Sequence, residues 1–141
     1  MKDMSGKCDY DITVLLVDDD DDDQFIFISA LSGINLKIDY RVVSNGPDAI
    51  EMFLTDSSFN PDYIFLDMNM PMMDGRRCIK EIRKLEKKKN TPVIIHSTTN
   101  LSEEAAALLD TGASFYFQKP NSIHKFTEIL RQILSAHLVA N

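Results

Sequence analysis

The sequence predicts an α/β fold: a doubly wound, five-stranded parallel sheet with five helices distributed over both of its faces. Five short apolar runs alternate with five longer helical patterns along the 141 residues. Most of these runs are continuous rather than alternating, as strands that are covered on both faces require. No internal repeat or low-complexity linker interrupts the series. Strand–helix pairs in succession form parallel sheets with right-handed crossovers.

The strands are predicted from runs rich in β-branched and aromatic residues. The first run, ITVLLV, is continuous, whereas the second, KIDYRVV, alternates more strongly, and the later runs are YIFL, VIIH and SFYF. Short runs of this composition are typical of strands. The predicted strands cover residues 12–17, 37–43, 63–66, 93–96 and 114–117.

The helices are predicted from apolar residues at helical spacing and from residues that start or stop helices. The first pattern ends before Gly33, and the second carries Pro47 early, where a helix tolerates proline. Acidic residues open the fourth pattern, and the fifth has the most regular apolar face. The predicted helices cover residues 23–31, 47–54, 75–88, 102–110 and 122–139.

Length and composition indicate one globular domain. The apolar runs are far shorter than the ~20 residues that a membrane helix needs. The N-terminus has no apolar stretch typical of a secretory signal, so we expect Cys8 and Cys78 to be reduced thiols in a cytoplasm. We expect residues 1–10 to form a flexible segment and residues 11–141 to form the domain.

The charge balance argues against nucleic acid as a partner. The chain has 22 acidic and 15 basic residues and a net charge of −7, whereas proteins that bind the phosphate backbone usually carry a basic excess. One basic cluster lies at the end of the third predicted helix, where cations offset the helix dipole and are usually solvated. The cluster consists of Arg83, Lys84, Lys87, Lys88 and Lys89.

Polar side chains stand where the predicted strands end. The first run is followed by Asp18 and Asp19, the third by Asp67, the fourth by Ser97 and the fifth by Lys119. Ligands of parallel α/β sheets bind outside the carboxyl ends of the strands, which share one edge. The sequence therefore predicts a site with three carboxylates, a hydroxyl and an ammonium group.

The chemistry of this set favours a divalent cation and a phosphoryl group. Crowded carboxylates repel one another, and hard oxygen ligands suit Mg²⁺ better than zinc or a fully caged Ca²⁺. A phosphoryl group beside the metal could contact Lys119 and Ser97, which is the charge neutralisation that phosphoryl transfer needs. Asp67, at the end of the buried third strand, is the predicted nucleophile that would form an acyl phosphate.

Four motifs, each at the end of a predicted strand, carry a resemblance to a known family. They are LLVDDD at 15–20, FLDMNMPMMDG at 65–75, HSTT at 96–99 and FYFQKP at 115–120. With these motifs the sequence resembles a response-regulator receiver domain of two-component signalling, of the CheY-like superfamily, from about Asp11 to the C-terminus. The resemblance implies a flavodoxin-like fold with the strand order 2-1-3-4-5.

The resemblance also implies a metal site and a phosphoacceptor. Asp67 would receive the phosphoryl group and would also ligate Mg²⁺. Asp18 and Asp19 would form the acidic pair, with Asp19 as the more direct metal ligand. Asn69 would supply a backbone carbonyl to the metal.

A switch is the third implication of the resemblance. Lys119 would bind a phosphoryl oxygen and precede a cis peptide bond to Pro120. Ser97 would turn toward the phosphoryl group, and Tyr116 would swing inward when Ser97 moves. The surface formed by the fourth helix, the fifth strand and the fifth helix would then change shape.

The partners implied by the resemblance are a sensor histidine kinase or a histidine phosphotransfer protein. Because no output domain follows Asn141, we expect a stand-alone receiver that acts on a protein target in the cytoplasm. It would be a monomer or a phosphorylation-dependent dimer. Neither nucleic acid nor a membrane is expected as a partner.

Two of the features that depart from the usual pattern of the family concern titratable residues. The acids continue from Asp18 to Asp23, which favours good electrostatics at a helix N-terminus; the alternative is that the extra acids tune metal affinity or the choice of partner. His96 lies in a buried strand, where we expect a core histidine with its hydrogen bonds satisfied, pointing away from Ser97 by strand alternation.

Two other functions are alternatives to this interpretation. A haloacid-dehalogenase-like phosphatase also uses a strand-terminal aspartate and Mg²⁺, but it needs an acid two residues later, where this chain has Asn69. An amide cannot protonate a leaving group. The other alternative is a pseudo-receiver, an interaction module that never accepts a phosphoryl group.

Overall fold

The computed structural model describes residues 10–85, 88 and 90–140, with 137–140 described by their backbone alone. Five strands form one parallel sheet in the order β2-β1-β3-β4-β5, which confirms the predicted fold class and strand order. The strands are β1 (Ile12–Val17), β2 (Ile38–Val43), β3 (Tyr63–Asp67), β4 (Val93–Ser97) and β5 (Phe115–Gln118).

Five helices connect and follow these strands, as predicted. They divide between the faces of the sheet, with α1 and α5 packing on one face and α2, α3 and α4 on the other. The fourth begins at residue 105, three residues later than predicted. The helices are α1 (Asp21–Ser32), α2 (Gly46–Thr55), α3 (Gly75–Arg83), α4 (Ala105–Thr111) and α5 (Ile123–Ala140).

The sheet separates two hydrophobic cores. On the α1–α5 face, Phe27 packs edge-on against Phe65 and Phe126, with ring centroids 5.1 and 5.7 Å apart. On the other face, Cys78 and Ile79 of α3 are fully buried against the sheet. Every residue of β3 is buried, as expected for the central strand, so its last residue is held on a rigid support.

Helix α3 is shorter than predicted, because it ends at Arg83 instead of residue 88. The guanidinium of Arg83 donates to the carbonyl oxygens of Lys88 (2.8 Å) and Thr91 (2.6 Å). It also donates to the carbonyl oxygen of Gly112 through Nε (3.2 Å) and Nη2 (2.8 Å). These four bonds tie the end of α3 to two loops, so the chain turns back where apolar residues at helical spacing predicted a longer helix.

The prediction that the basic cluster is solvated is therefore wrong for two of its members. Lys88 is only 4% exposed, and its Nζ donates to Oδ1 of Asn60 at 2.8 Å and lies 5.1 Å from the ring centre of Phe53. The second member is Arg83, whose guanidinium binds these two loops and is therefore called the loop clamp. A lysine can bury its long stem when its ammonium group finds a partner. Lys87 and Lys89 lie outside the described residues.

Other expectations fall wholly or partly outside the described residues. These are the flexible segment at 1–10, of which only Tyr10 is described, and the state of Cys8. Cys78 is a buried free thiol, and burial raises its pKa to about 12, so it is an inert core residue. Within the described part of the chain, no helix combines the length and apolar character needed to span a membrane.

Candidate functional site

The carboxyl ends of the strands bring three predicted carboxylates together. One oxygen each from Asp18, Asp19 and Asp67 lies within 4.8 Å of the others. Asp18 and Asp67 are buried, whereas Asp19 is exposed. The N–H of Asp20 donates to Asp18 at 3.0 Å, which fixes one carboxylate. The group therefore has two rigid buried members and one that faces solvent.

Burial makes this cluster electrostatically unfavourable without a cation. The pKa of Asp67 is raised to about 6, first by desolvation and further by the charges of Asp18 and Asp19, although Lys119 opposes the shift. Desolvation also raises the pKa of Asp18. Three hard oxygen donors that repel one another are the set that a divalent cation of the Mg²⁺ or Mn²⁺ type neutralises. The residues fit such an ion.

Lys119 lies in the site, as predicted, but its nearest partners differ from the expectation. Its Nζ donates to Oδ2 of Asp18 at 3.0 Å and to Oδ2 of Asp23 at 2.9 Å, whereas Oδ2 of Asp67 lies 3.8 Å away. Sequence analysis placed Asp23 only within an acidic run and missed this contact. The signal was its position, because a residue in the first turn of α1 faces the same edge as the strand ends.

The predicted cis peptide bond at Lys119–Pro120 is wrong, because the bond is trans. The trans isomer is the lower-energy form of most bonds that precede proline. With this bond trans, the Lys119 side chain still reaches the carboxylates of Asp18 and Asp23.

Ser97 is fully buried at the end of β4, and its hydroxyl is held by three contacts. The side-chain amide of Asn69 donates to Ser97 Oγ at 3.1 Å, the N–H of Thr99 donates at 3.1 Å, and Thr99 Oγ1 lies at 3.0 Å. The N–H of Asn69 donates to Asp67 Oδ1 at 3.3 Å. Asn69 therefore links the central aspartate to the serine, a side-chain role that sequence analysis missed.

Tyr116 is half-buried on the same face of the sheet as Ser97. In the register of the two strands it pairs with Ile95, two residues before Ser97, and it packs against the core beneath α3 and α4. Strand alternation sends Phe115 to the opposite face, where it is 48% exposed. Tyr116 thus lies on the face of the sheet toward which Ser97 points, and its role as a switch residue stays a prediction.

His96 is buried, but the prediction that its hydrogen bonds are satisfied is wrong. Neither Nδ1 nor Nε2 has a hydrogen-bond partner. Its ring lies against those of Phe117 and Phe27, with centroids 5.7 and 6.1 Å apart. Burial and the charge of Lys119 lower its pKa well below the usual value. The imidazole is therefore a neutral member of an aromatic cluster. Strand alternation correctly predicted that it points away from Ser97, but the expected hydrogen bonds are absent.

The acidic run has two functions in the structure. Asp20 is the N-cap of α1, and its carboxylate accepts from the N–H of Asp23 at 2.9 Å. Asp21, Asp22 and Asp23 occupy the first turn, where negative charge favours the helix dipole. The favoured interpretation of the run is thus supported by the cap, while the ion pair of Asp23 with Lys119 adds a contact to the site.

The sequence of this chain matches that of a known protein family. The family model of the response regulator receiver domain matches residues 14–131. The chain belongs to the response regulator receiver family. The two-component response regulator ORR8 of Oryza sativa subsp. indica is 35% identical to this receiver over 120 residues, which cover 85% of the chain and 96% of that relative.

Solved receivers share the fold. The Mn²⁺-bound form of response regulator Rcp1 matches with a TM-score of 0.76 and 23% identity, covering 88% of this receiver and 92% of that chain. The receiver domain of sensor histidine kinase PA1611 from Pseudomonas aeruginosa PAO1, which has a magnesium ion coordinated in its active-site cleft, matches with a TM-score of 0.70 and 24% identity. This second match covers 86% of this receiver and 95% of that chain. At these identities the likeness shows the fold.

Proposed function

We propose that this receiver accepts a phosphoryl group on the carboxylate of Asp67 in a Mg²⁺-dependent reaction. The observation that carries the proposal is the meeting of three carboxylates within 4.8 Å with an ammonium group 3.8 Å from Asp67. Asp67 sits at the end of the buried central strand, so its position is fixed before any donor arrives. Such preorganisation is what phosphoryl transfer requires.

The reaction is an exchange of one bond to phosphorus for another. A carboxylate oxygen of Asp67 attacks the phosphorus of a phosphohistidine; the new O–P bond forms as the P–N bond breaks, and the imidazole nitrogen keeps the electron pair. The ionised form of Asp67 is the nucleophile, and its pKa of about 6 leaves it mostly ionised at neutral pH.

The carboxylates of Asp18, Asp19 and Asp67, together with the backbone carbonyl of Asn69, are the proposed ligands of Mg²⁺. When bound, the ion neutralises negative charge on the carboxylates and on the phosphoryl oxygens. Lys119 supplies a second positive charge beside Asp67, because its Nζ is already within 4 Å of that carboxylate.

The proposed output of the site is a switch through Ser97. Its hydroxyl exchanges its contact with Asn69 for a phosphoryl oxygen, and Tyr116 follows from the neighbouring strand. This movement changes the face formed by α4, β5 and α5, where Phe115 and Leu109 are exposed. Coupling of this kind works by shifting two pre-existing states.

The proposed phosphoryl donor is a sensor histidine kinase or a histidine phosphotransfer protein, because this receiver belongs to a two-component family. We also propose a cytoplasmic location, and a monomer or a phosphorylation-dependent dimer, as the sequence suggests. The receiver is expected to catalyse only its own phosphorylation and dephosphorylation.

The proposal is tested by incubating the protein with a small phosphoryl donor, such as phosphoramidate, and Mg²⁺, and measuring its intact mass. We expect one phosphoryl group on the wild type and none on Asp67→Asn, with Asp110→Asn, an exposed change on α4, labelled like the wild type. Unchanged labelling of Asp67→Asn would contradict the proposal. An unlabelled wild type would favour the pseudo-receiver, and Asp67-dependent turnover of a phosphate ester would favour the phosphatase.

A further inference from the structure

The ammonium group of Lys119 is shared unequally among three carboxylates. Its Nζ lies 2.9 Å from Asp23 and 3.0 Å from Asp18, but 3.8 Å from Asp67. The first two distances are those of charge-assisted hydrogen bonds, whereas the third is a longer ion pair. In this state the lysine is held mainly by carboxylates other than the proposed phosphoacceptor.

Asp23 reaches the lysine from a well-anchored backbone. Its N–H donates to the Asp20 cap at 2.9 Å, which fixes the first turn of α1. Its side chain, 29% exposed, lines both the recess of about 280 Å³ over Asp67 and an adjoining cavity of about 500 Å³. The Asp23–Lys119 pair therefore stands between these two spaces, at the border of the place where a phosphoryl group on Asp67 would lie.

Helix electrostatics alone do not account for this contact. Asp21 and Asp22 occupy the same first turn and are exposed to solvent, so they supply the same favourable interaction with the dipole. Asp23 differs from them because its carboxylate makes a direct hydrogen bond to the site lysine. Burial lowers the pKa of Lys119, but the neighbouring carboxylates raise it overall, and among them the hydrogen bond to Asp23 contributes most.

We propose that Asp23 is a positioning residue that competes with the phosphoryl group on Asp67 for the ammonium group of Lys119. This inference rests on the proposed phosphoacceptor function, which the carboxylate of Asp23 regulates. In the unphosphorylated protein the lysine is bound to Asp23 and Asp18. The two hydrogen bonds hold the ammonium group 3.8 Å from Asp67, so a phosphoryl group that draws the lysine toward itself weakens the bond to Asp23. The Asp23 carboxylate therefore sets how strongly the modified state is favoured.

The test measures the affinity of the Mg²⁺-loaded protein for beryllofluoride, a phosphoryl analogue, by calorimetry. Asp23→Asn keeps the size of the side chain and the backbone cap but removes the competing charge. We expect it to bind beryllofluoride about three- to tenfold more tightly than the wild type, which is the range expected for losing a partly exposed charged hydrogen bond. Asp22→Asn removes the same charge from the same turn and is the matched control.

A second readout separates competition for the lysine from a general charge effect. The affinity for Mg²⁺ alone should not rise in Asp23→Asn, because a cation does not bind the ammonium group that this variant releases, whereas a general gain in binding would raise both affinities. Asp23→Glu, which restores the carboxylate, should return beryllofluoride binding toward the wild-type value. Thermal unfolding of each variant checks that α1 is intact.

The outcomes distinguish the inference from the function on which it rests. If the wild type binds beryllofluoride through Asp67 and Asp23→Asn behaves like Asp22→Asn, the role of Asp23 is overturned while the phosphoacceptor function stands. Failure of Asp23→Glu to restore the wild-type affinity also counts against it. If the wild type binds no beryllofluoride, the proposed function fails, and this inference with it.

Discussion

The side-chain amide of Asn69 donates to the hydroxyl of Ser97 at 3.1 Å and so joins the loop after β3 to the end of β4. The hydroxyl is also held by Thr99. Ser97 is thus restrained in one rotamer next to the proposed phosphoacceptor. Any movement of the serine toward a phosphoryl group must break this contact, which makes the pair a measurable part of the proposed switch.

The first prediction concerns that switch. Ser97→Ala should still be phosphorylated on Asp67, because the nucleophile and the carboxylates remain. The change in the NMR signals of Tyr116 on phosphorylation should be lost, because the hydroxyl that couples the phosphoryl group on Asp67 to Tyr116 is gone. Thr98→Ala, at an exposed neighbouring position, is the control. An unaltered Tyr116 response in Ser97→Ala would show that the signal leaves the site by another route.

The second prediction follows from the raised pKa of Asp67. In the folded protein its pKa is about 6 against an ordinary value of 3.8, so the folded state binds the proton more tightly. The favourable contribution is complete below pH 4 and is lost as pH rises through 6. A tenfold difference in proton affinity between the folded and unfolded states is worth about 1.4 kcal/mol. In EDTA, Asp67→Asn should therefore be more stable than the wild type at pH 8, by about 3 kcal/mol or less.

Urea unfolding at a series of pH values measures this difference. The two stability curves should converge near pH 4, where the carboxyl group is protonated in the folded state. Asp110→Asn should show no such convergence. Curves that run parallel from pH 4 to 8 would mean that burial does not perturb Asp67 as described.

The third prediction concerns Mg²⁺. Because the carboxylates of Asp18, Asp19 and Asp67 repel one another, a cation that binds only the folded state should stabilise it by mass action. The melting temperature of the wild type should rise with Mg²⁺ concentration. Asp19→Asn, at the exposed member of the cluster, should need more Mg²⁺ for the same rise, whereas Asp39→Asn on β2 should behave like the wild type. Equal responses of all three proteins would argue against the proposed ligands.

The fourth prediction concerns the two unpartnered nitrogens of His96. His96→Leu removes them from the core and should raise the free energy of unfolding at pH 7 by about 1–3 kcal/mol. The gain should grow as pH falls below 6.5, because the unfolded wild type takes up a proton that the folded state, with its lowered pKa, does not. His124→Gln, exposed on α5, is the control. The prediction would be contradicted if His96→Leu were less stable than the wild type at pH 7 and also below pH 6.5.

The fifth prediction tests the loop clamp. Arg83→Lys keeps the charge but cannot reproduce the planar fork that reaches Gly112, Lys88 and Thr91. We expect the free energy of unfolding to fall by about 1–3 kcal/mol in chemical denaturation. Arg77→Lys, on an exposed position of the same helix, should change it little. Similar losses in both variants would assign the effect to the helix rather than to the clamp.

The sequence predicted the sheet because each buried strand can be recognised from its own composition. It also predicted which acids meet, since Asp18 and Asp67 lie at the ends of such strands and parallel strands end at a common edge. What it did not predict were contacts set by side-chain reach. The bond of Lys119 to Asp23 and the early end of α3 at Arg83 both depend on where a long cationic side chain finds oxygen atoms.

Helix α4 is secured unevenly along its length. At its C-terminal end the N–H of Gly112 donates to carbonyls of the last turn, and the carbonyl of Gly112 accepts hydrogen bonds from Arg83. At its near end, reached directly from Ser97 through residues 98–104, the first turn has no side-chain cap. The first turn of α4 should therefore open more readily than the last, so hydrogen exchange of its backbone amides should be faster at the end that follows Ser97 than at the end held by Arg83.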